Sequence, residues 1–355
     1  MSAMVTSAGT ALVTGFTGQD GTFLTRLLLD RGYNVIGLVR RVSTEPPQRI
    51  RGKFDFTESI NSGNLKLVSG DLMSLSSLID VINEHRPTEI YNLASQSHVG
   101  LSFSQPELSI QSTFEGVVNL ITALETVEKL SKGDYAWKLY QASSSEMFGS
   151  SEKGVVLNER SPLNPHSPYA IAKSAAHQYC KMKRDQGKFI CSGILFNHES
   201  EIRGGDFVTQ KIARGAVKFI NTGEPIQLGN LDAMRDWGYA GDYVKAMHMM
   251  LQRLEPHDYV VATGETHTIR QFVEEAFRVA LKIPTTSITW KGKGQLEAGY
   301  LGGYSEPAVV INPKYYRPND VKYLNGDSTK VREELKWQPD HTFEEIVKIM
   351  VEAAE

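Results

Sequence analysis

Tyr169 and Lys173 lie four residues apart in "SPYAIAK", on one face of a helix that Pro168 opens. A phenol beside an ammonium can take a proton from an alcohol, because a neighbouring positive charge favours the phenolate. The run "QASSSEMFG" at 141–149 supplies further polar groups. Ser144 can hydrogen-bond the same alcohol oxygen, and Glu146, two residues on, adds a carboxylate. Such a set suits oxidation of a sugar hydroxyl, with the proton going to Tyr169 while hydride leaves the carbon. The bland alternatives are a surface Tyr–Lys pair and a turn carboxylate. Y-x-x-x-K recurs at Tyr179 and Lys183, but ten residues further along a helix means about 15 Å of rise and roughly 80° of rotation. The second pair cannot share the site.

The elements that must hold these groups follow from the apolar pattern. Short β-rich runs at 10–16, 33–40, 64–71, 88–95, 137–145 and 189–197 read as six strands. Helical spacing at 20–32, closed by Gly32, at 74–87, ended by Pro87, and at roughly 107–131 reads as the helices between them. Alternating strands and helices predict a doubly wound, mostly parallel Rossmann-type sheet covered on both faces. A smaller C-terminal α/β unit follows. The expected division is residues 9–198 for the dinucleotide-binding domain, with 235–264 returning to it, and 199–234 plus 265–355 for the substrate domain. The Gly-rich stretch 291–307 reads as a loop, and 270–281 as a core helix.

In such a sheet ligands bind at the carboxyl ends of the strands. The first end carries "GFTGQDG". Gly15 permits a tight turn, Gly18 a close approach of backbone to a pyrophosphate, and Gly21 the packing of helix on strand, while the helix N-terminus faces the phosphates. Thr17, Gln19 and Asp20 belong to the same loop. An acid at the end of the second strand would bind a ribose 2′-hydroxyl. This chain has Arg40, Arg41 and Ser43 there, which suit a 2′-phosphate and predict NADP; a solvated basic loop is the alternative. Asp71 and Leu72 end strand three near the adenine. Leu93, Ala94, Ser95 and Ser97 end strand four under the cofactor. Beside Lys173 and a cationic nicotinamide, Tyr169 is expected to have a lowered pKa.

Composition narrows the class. The 355 residues carry a net charge of −3, with 41% hydrophobic and 22% charged residues. No basic excess calls for nucleic acid, and no polybasic run calls for a membrane surface. No apolar stretch reaches the length of a membrane span. The two cysteines, Cys180 and Cys191, read as free thiols in a reducing compartment. No cluster has metal-ligand spacing. The expectation is a soluble cytoplasmic protein without a metal.

The sequence resembles the extended short-chain dehydrogenase/reductase family and, within it, the GDP-mannose 4,6-dehydratases. The resemblance rests on "GFTGQDG", "VRR", "PTEIYNLASQSHV" (87–99), "SSSEMFG", "YAIAK", "GILFNHES" (193–200), "LGNLDAMRDWGYAGDYVKAM" (228–247), "VVATGETHTIRQFVEEAF" (260–277) and "YYRPNDV" (315–321). It covers nearly the whole chain, and 228–247 is its most specific part. It implies NADP as cofactor, GDP-mannose as substrate and GDP-4-keto-6-deoxymannose as product, a step of GDP-deoxyhexose (GDP-fucose) biosynthesis. It also implies a homotetramer, with the Arg40–Ser43 loop reaching a neighbouring subunit. His198 and Arg203 fall on the cofactor side. Asn197, Lys211, Arg235 and Arg317 fall on the substrate side, the three cations neutralising the diphosphate.

Glu146 then has a role. Oxidation at C4 acidifies the C5 proton, a carboxylate removes it, and the C6 hydroxyl leaves as water. The alternatives are a nucleotide-sugar 4-epimerase or reductase, which needs no such base, and a 4,6-dehydratase acting on a different GDP-sugar, which does; a non-catalytic NADP-binding regulator would need none of the set. The chain departs from the family pattern at Ser144 (usually Thr), Phe148 (Tyr), Glu201 and Ile202 (Pro and Arg) and Met234 (Lys). The last three are expected near the sugar nucleotide.

Overall fold

The computed structural model of the chain describes residues 8–40, 54–285, 288–315 and 321–355. Its first part runs β1 (Thr10–Thr14), α1 (Gln19–Asp30), β2 (Asn34–Val39), α2 (Thr57–Asn61), β3 (Leu65–Ser69), α3 (Leu75–His85) and β4 (Glu89–Asn92). Next come α4 (Val99–Ser104), α5 (Pro106–Ile110), α6 (Gly116–Leu130), β5 (Lys138–Ser144), α7 (Pro168–Asp185), β6 (Ile190–Leu195) and β7 (Asn197–Glu199). The remainder holds α8 (Val208–Thr222), β8 (Ile226–Leu228), β9 (Met234–Arg235), β10 (Trp237–Tyr239), α9 (Ala240–Leu251), β11 (Asp258–Val261) and β12 (His267–Thr268). It closes with α10 (Ile269–Ala280), β13 (Ile288–Lys291), β14 (Ala298–Leu301), β15 (Val309–Ile311), α11 (Thr329–Leu335) and α12 (Phe343–Glu352).

Seven strands form one parallel sheet in the order β3-β2-β1-β4-β5-β6-β11. Alternation along each strand feeds both faces. Ala11, Val13 and Tyr91 bury against Leu24 and Leu28 of α1 and Met247 of α9. Leu12, Ile90 and Leu139 bury against Leu78 of α3, Leu120 and Leu124 of α6, and Cys180 of α7. Strand order reverses between β1 and β4, so the crevice that accepts ligands in such sheets opens beside the β1–α1 loop. A second core joins α8, α10 and α12 to the four-stranded sheet β13-β14-β15-β8. Phe272, Val273, Ala276 and Phe277 of α10 are buried there.

Two sequence expectations are corrected and one is refined. A seventh strand, β11, extends the sheet beyond β6. The helix expected over 107–131 runs without a break over 106–130, with a π turn at Gln111–Glu115 between α5 and α6. The Gly-rich stretch 291–307 contains β14, antiparallel to β13. Its Gly299 has no side chain because the Trp290 ring lies there, and a Cβ would come within 2.8 Å of it. Both cysteines are buried free thiols. Among the described residues no helix is long and apolar enough to cross a membrane.

Candidate active site

The β1–α1 loop is built by its glycines. Gly15 adopts φ +68°, and a Cβ there would meet Ala94 N at 2.8 Å. A Cβ on Gly21 would meet the Gly15 carbonyl oxygen at 2.3 Å. Gly18 N donates to Gly15 O at 2.8 Å and closes the turn. Gly18 is also the N-cap of α1, and no side chain caps that end. Its first N–H groups therefore face the cleft, as anion binding at a helix N-terminus requires. Thr14 Oγ1 ties the ends of β1 and β4, bonding Asn92 Oδ1 at 2.6 Å and accepting from Leu93 N and Ala94 N at 3.2 Å.

One cleft of about 1160 Å³ collects almost all the expected site residues. On one side it is lined by Gly15, Thr17, Gly18, Gln19, Asp20, Arg40, Asp71, Leu72, Leu93, Ala94, Ser95 and Ser97. Ser144, Glu146, Tyr169 and Lys173 follow, then Asn197, His198, Arg203, Lys211 and Arg235. Arg41 and Arg317 lie outside the described residues, as does Ser43.

Three pairings seat α7 at the end of β5. The Tyr169 phenol faces Ser144, which acts to lower it, and Lys173 Nζ donates to the Ala142 carbonyl at 2.7 Å. His177, one turn beyond Lys173, contacts Ser143 Oγ through Nδ1 at 3.0 Å. Ser144 Oγ also accepts from Glu146 N at 3.2 Å, which starts the 3-10 turn Ser145–Phe148. Glu146 thus leaves the strand one short turn beyond Ser144 and faces the same cleft. Among the described residues none is hydrogen-bonded to or ion-paired with its carboxylate.

In the protein alone, burial pushes the Tyr169 phenol up to about 12; Ser144 opposes the rise and the Glu146 carboxylate adds to it. The expected lowering belongs to the state with a cationic nicotinamide beside the phenol. The Lys173 ammonium, bonded to the Ala142 carbonyl, lies 5.8 Å from the Tyr169 ring centroid and does not outweigh the burial. Burial lowers Lys173 itself to about 8, against the opposing charge of Asp20.

Sequence reasoning missed the partnership of Asp20 with His198. His198 Nε2 lies 2.9 Å from Asp20 Oδ2, and Nδ1 lies 2.8 Å from Phe196 O. Both partners only accept, so both ring nitrogens carry protons and the pair is ionic. Burial alone would push His198 down and Asp20 up, but each holds the other in its charged form. Gln19 completes the tie, donating to His198 O at 3.1 Å and accepting from Ser200 Oγ at 2.7 Å. Arg203 stacks on Phe207, 3.6 Å from the ring centroid, and reaches Glu199 at 3.1 Å.

On the far side, Asn197 Oδ1 is buried without a hydrogen-bond partner at the edge of the cleft, an acceptor that a bound donor would satisfy. Lys211 Nζ rests 3.4 Å from the centroid of the Tyr315 ring. Arg235 is buried and donates to Met234 O at 3.0 Å. Glu201, Ile202 and Met234 do not line the cleft themselves, although Arg203, Ala233 and Arg235 beside them do. Glu201 accepts from Tyr239 OH at 3.2 Å, Ile202 packs on the first core, and Met234 pairs with Thr268. Phe148 is buried against Phe196. The second Tyr–Lys pair is structural, with Lys183 bridged to Glu125 of α6 at 2.8 Å.

A doubly wound parallel sheet with Tyr169, Lys173 and Ser144 at its switch-point cleft defines a member of the short-chain dehydrogenase/reductase class. Solved structures with this fold include a UDP-glucose 4-epimerase of Thermus thermophilus, at TM-score 0.76 and 24% identity over 97% of this chain and 98% of that one. A dTDP-glucose 4,6-dehydratase of Bacillus anthracis superposes at TM-score 0.74 with 20% identity, covering 98% and 96%. At sequence level, residues 12–350 match the family described as GDP-mannose 4,6 dehydratase. Relatives of that name from Drosophila melanogaster and Homo sapiens are 46% and 44% identical, each over 97% of this chain and over 85% and 90% of their own lengths. The chain belongs to the GDP-mannose 4,6-dehydratase family and is an enzyme of the hydro-lyase class.

Proposed function

We propose that the protein converts GDP-mannose to GDP-4-keto-6-deoxymannose with a resident NADP, a step of GDP-deoxyhexose biosynthesis. Family membership supports the substrate. The observation that carries the reaction is Glu146 in the same cleft as the Tyr169–Ser144 pair. The uncapped start of α1, the glycine turn and the orphan acceptor of Asn197 fit a dinucleotide and a second nucleotide sharing the cleft. When bound, a nicotinamide would supply the hydride chemistry that oxidation at C4 and reduction at C6 require. Tyr169 takes the C4 hydroxyl proton, and Ser144 holds that oxygen. Lys173 supplies positive charge behind the phenol. Glu146 takes the C5 proton and passes it to the departing C6 hydroxyl, and the proton that Tyr169 took from the C4 hydroxyl is balanced by one delivered to C5 when C6 is reduced, so one water is lost and no oxidant is consumed. Lys211, Arg235 and Arg317 neutralise the diphosphate, and Asn197 binds beside them. His198 and Arg203 serve the cofactor side. A homotetramer, with the Arg40–Ser43 loop at an interface, belongs to the same reading.

Incubating the purified protein with GDP-mannose and NADP⁺ tests this directly. The product should be lighter than the substrate by one water, with no net reduced cofactor. An unchanged mass, or stoichiometric NADPH, refutes it. Arg40 lines the cleft at the end of β2. Replacing Arg40 and Arg41 by Ala should therefore weaken NADP binding much more than NAD binding, since Arg holds phosphate through a planar fork. Equal losses in a titration of both cofactors would remove these residues from the 2′-phosphate.

A further inference from the structure

Behind the catalytic groups lies a polar chain that the reaction itself does not use. His177 is 6% exposed and Ser143 3%, yet both carry groups that need partners. Each satisfies the other through the 3.0 Å contact between Ser143 Oγ and His177 Nδ1. The other ring nitrogen, Nε2, faces Asp258 Oδ2 at 3.8 Å. Asp258 in turn is gripped by Arg184, whose Nη1 donates to Oδ1 at 2.6 Å and whose Nη2 reaches Oδ2. At 3.8 Å the Nε2–Asp258 approach is electrostatic, and in the Ser143–His177 contact the hydroxyl donates to Nδ1 or accepts from it according to the tautomer. Burial first, then the charges of Arg184 and Lys181, outweigh Asp258 and push the imidazole below its ordinary value, which keeps it neutral.

The placement of this chain gives it a task. Tyr169, Lys173 and His177 repeat at i, i+4 and i+8 along α7 and share one face. Their partners are three successive residues of β5: Ser144 for Tyr169, the Ala142 carbonyl for Lys173, and Ser143 for His177. Asp258 belongs to β11, two strands over, and Arg184 Nη1 also binds Ile190 O at the start of β6. The third link is thus anchored across β5, β6 and β11, whereas the first two end at the reacting groups.

We infer that His177, braced by Asp258 and Arg184 and bonded to Ser143, is a positioning residue that sets the seating of α7 on β5 and so holds Tyr169 within reach of Ser144. The inference rests on the functional reading above. Ser143→Ala and His177→Ala should each slow C4 oxidation by about 10- to 10²-fold, since small misplacements of reacting groups cost that much. Substrate KM should change little. Tyr169 is faced by Lys173 on its own helix, by Glu146 beyond β5, and by Arg203 and Asp20 across the cleft. Among the groups facing it, Ser144 and Arg203 act to lower the phenol. Moving Tyr169 away from Ser144 should therefore move the ascending limb of the pH–rate profile to higher pH.

The test measures single-turnover reduction of bound cofactor against pH for the wild type, both variants, their double mutant and His177→Gln. Thermal unfolding is measured in parallel. The expected result is a limb displaced upward in both single variants, a double mutant no worse than either, and partial return in His177→Gln. Variants that unfold at lower temperature but keep the wild-type limb and rate would show His177 to be core filling only and overturn the inference. Ser143→Ala removes one oxygen and keeps the question answerable if His177→Ala does not fold. A wild-type protein that forms no reduced cofactor sinks the functional reading, and this inference with it.

Discussion

Glu146→Gln should lower turnover by at least ~10²-fold, the low end for a positioned acid–base group, while leaving C4 oxidation intact. The substitution keeps volume and polarity. It spares the bond from Glu146 N to Ser144 Oγ at 3.2 Å, which is made by the backbone. The 3-10 turn and the Tyr169–Ser144 contact should therefore survive, and with them the first half of the reaction. The variant should accumulate enzyme-bound reduced nicotinamide, visible by absorbance, with little dehydrated product. Wild-type enzyme run in deuterated water should place solvent deuterium at C5 and the original C4 hydrogen at C6. Dehydration at a near-normal rate by the Gln variant, or retention of the original hydrogen at C5, would reduce Glu146 to a turn residue.

The parts of this molecule that sequence makes visible are those whose determinants are local. β1, α1 and β2 could be read because alternation, helical spacing and Gly32 all lie within one short window. Gly32 indeed takes φ +79° just beyond α1. The π turn at Gln111–Glu115 was invisible because its residues also suit an α-helix. β14 was hidden among glycines of two kinds: Gly299 makes room for the Trp290 ring, whereas Gly292, Gly294 and Gly303 take positive φ in the turns around it. The same division holds in the site. Ser144, Glu146, Tyr169 and Lys173 stand in two short motifs. His177 gains meaning only from Asp258, and Asp20 only from His198, partners far away in sequence. The rise of Tyr169 escaped for a related reason: a sequence shows which charges are near but not how deeply a phenol is buried, nor that Lys173 turns to a backbone carbonyl.

That rise shapes the second large effect. Tyr169→Phe should cut C4 oxidation by ~10³-fold, within the range for loss of an acid–base group, and accumulate no reduced nicotinamide on the timescale of wild-type turnover. The ring is buried and its replacement removes one oxygen, so the cleft should keep its shape and still bind substrate. The contrast with Glu146→Gln is the diagnostic: one variant stops before cofactor reduction and the other after it. In the wild type, Tyr169 must be unprotonated to act as base, and burial holds it up toward 12. Its reactive fraction therefore grows with pH. Lys173, lowered to about 8, loses its supporting charge above that value. Single-turnover reduction should climb with pH below about 8 and flatten or fall beyond it, whereas Tyr169→Phe should show only a flat residual rate. If that variant reduces cofactor at close to the wild-type rate, with the same pH profile, the proton from C4 leaves by another group, and the assignment of Tyr169 as base is wrong.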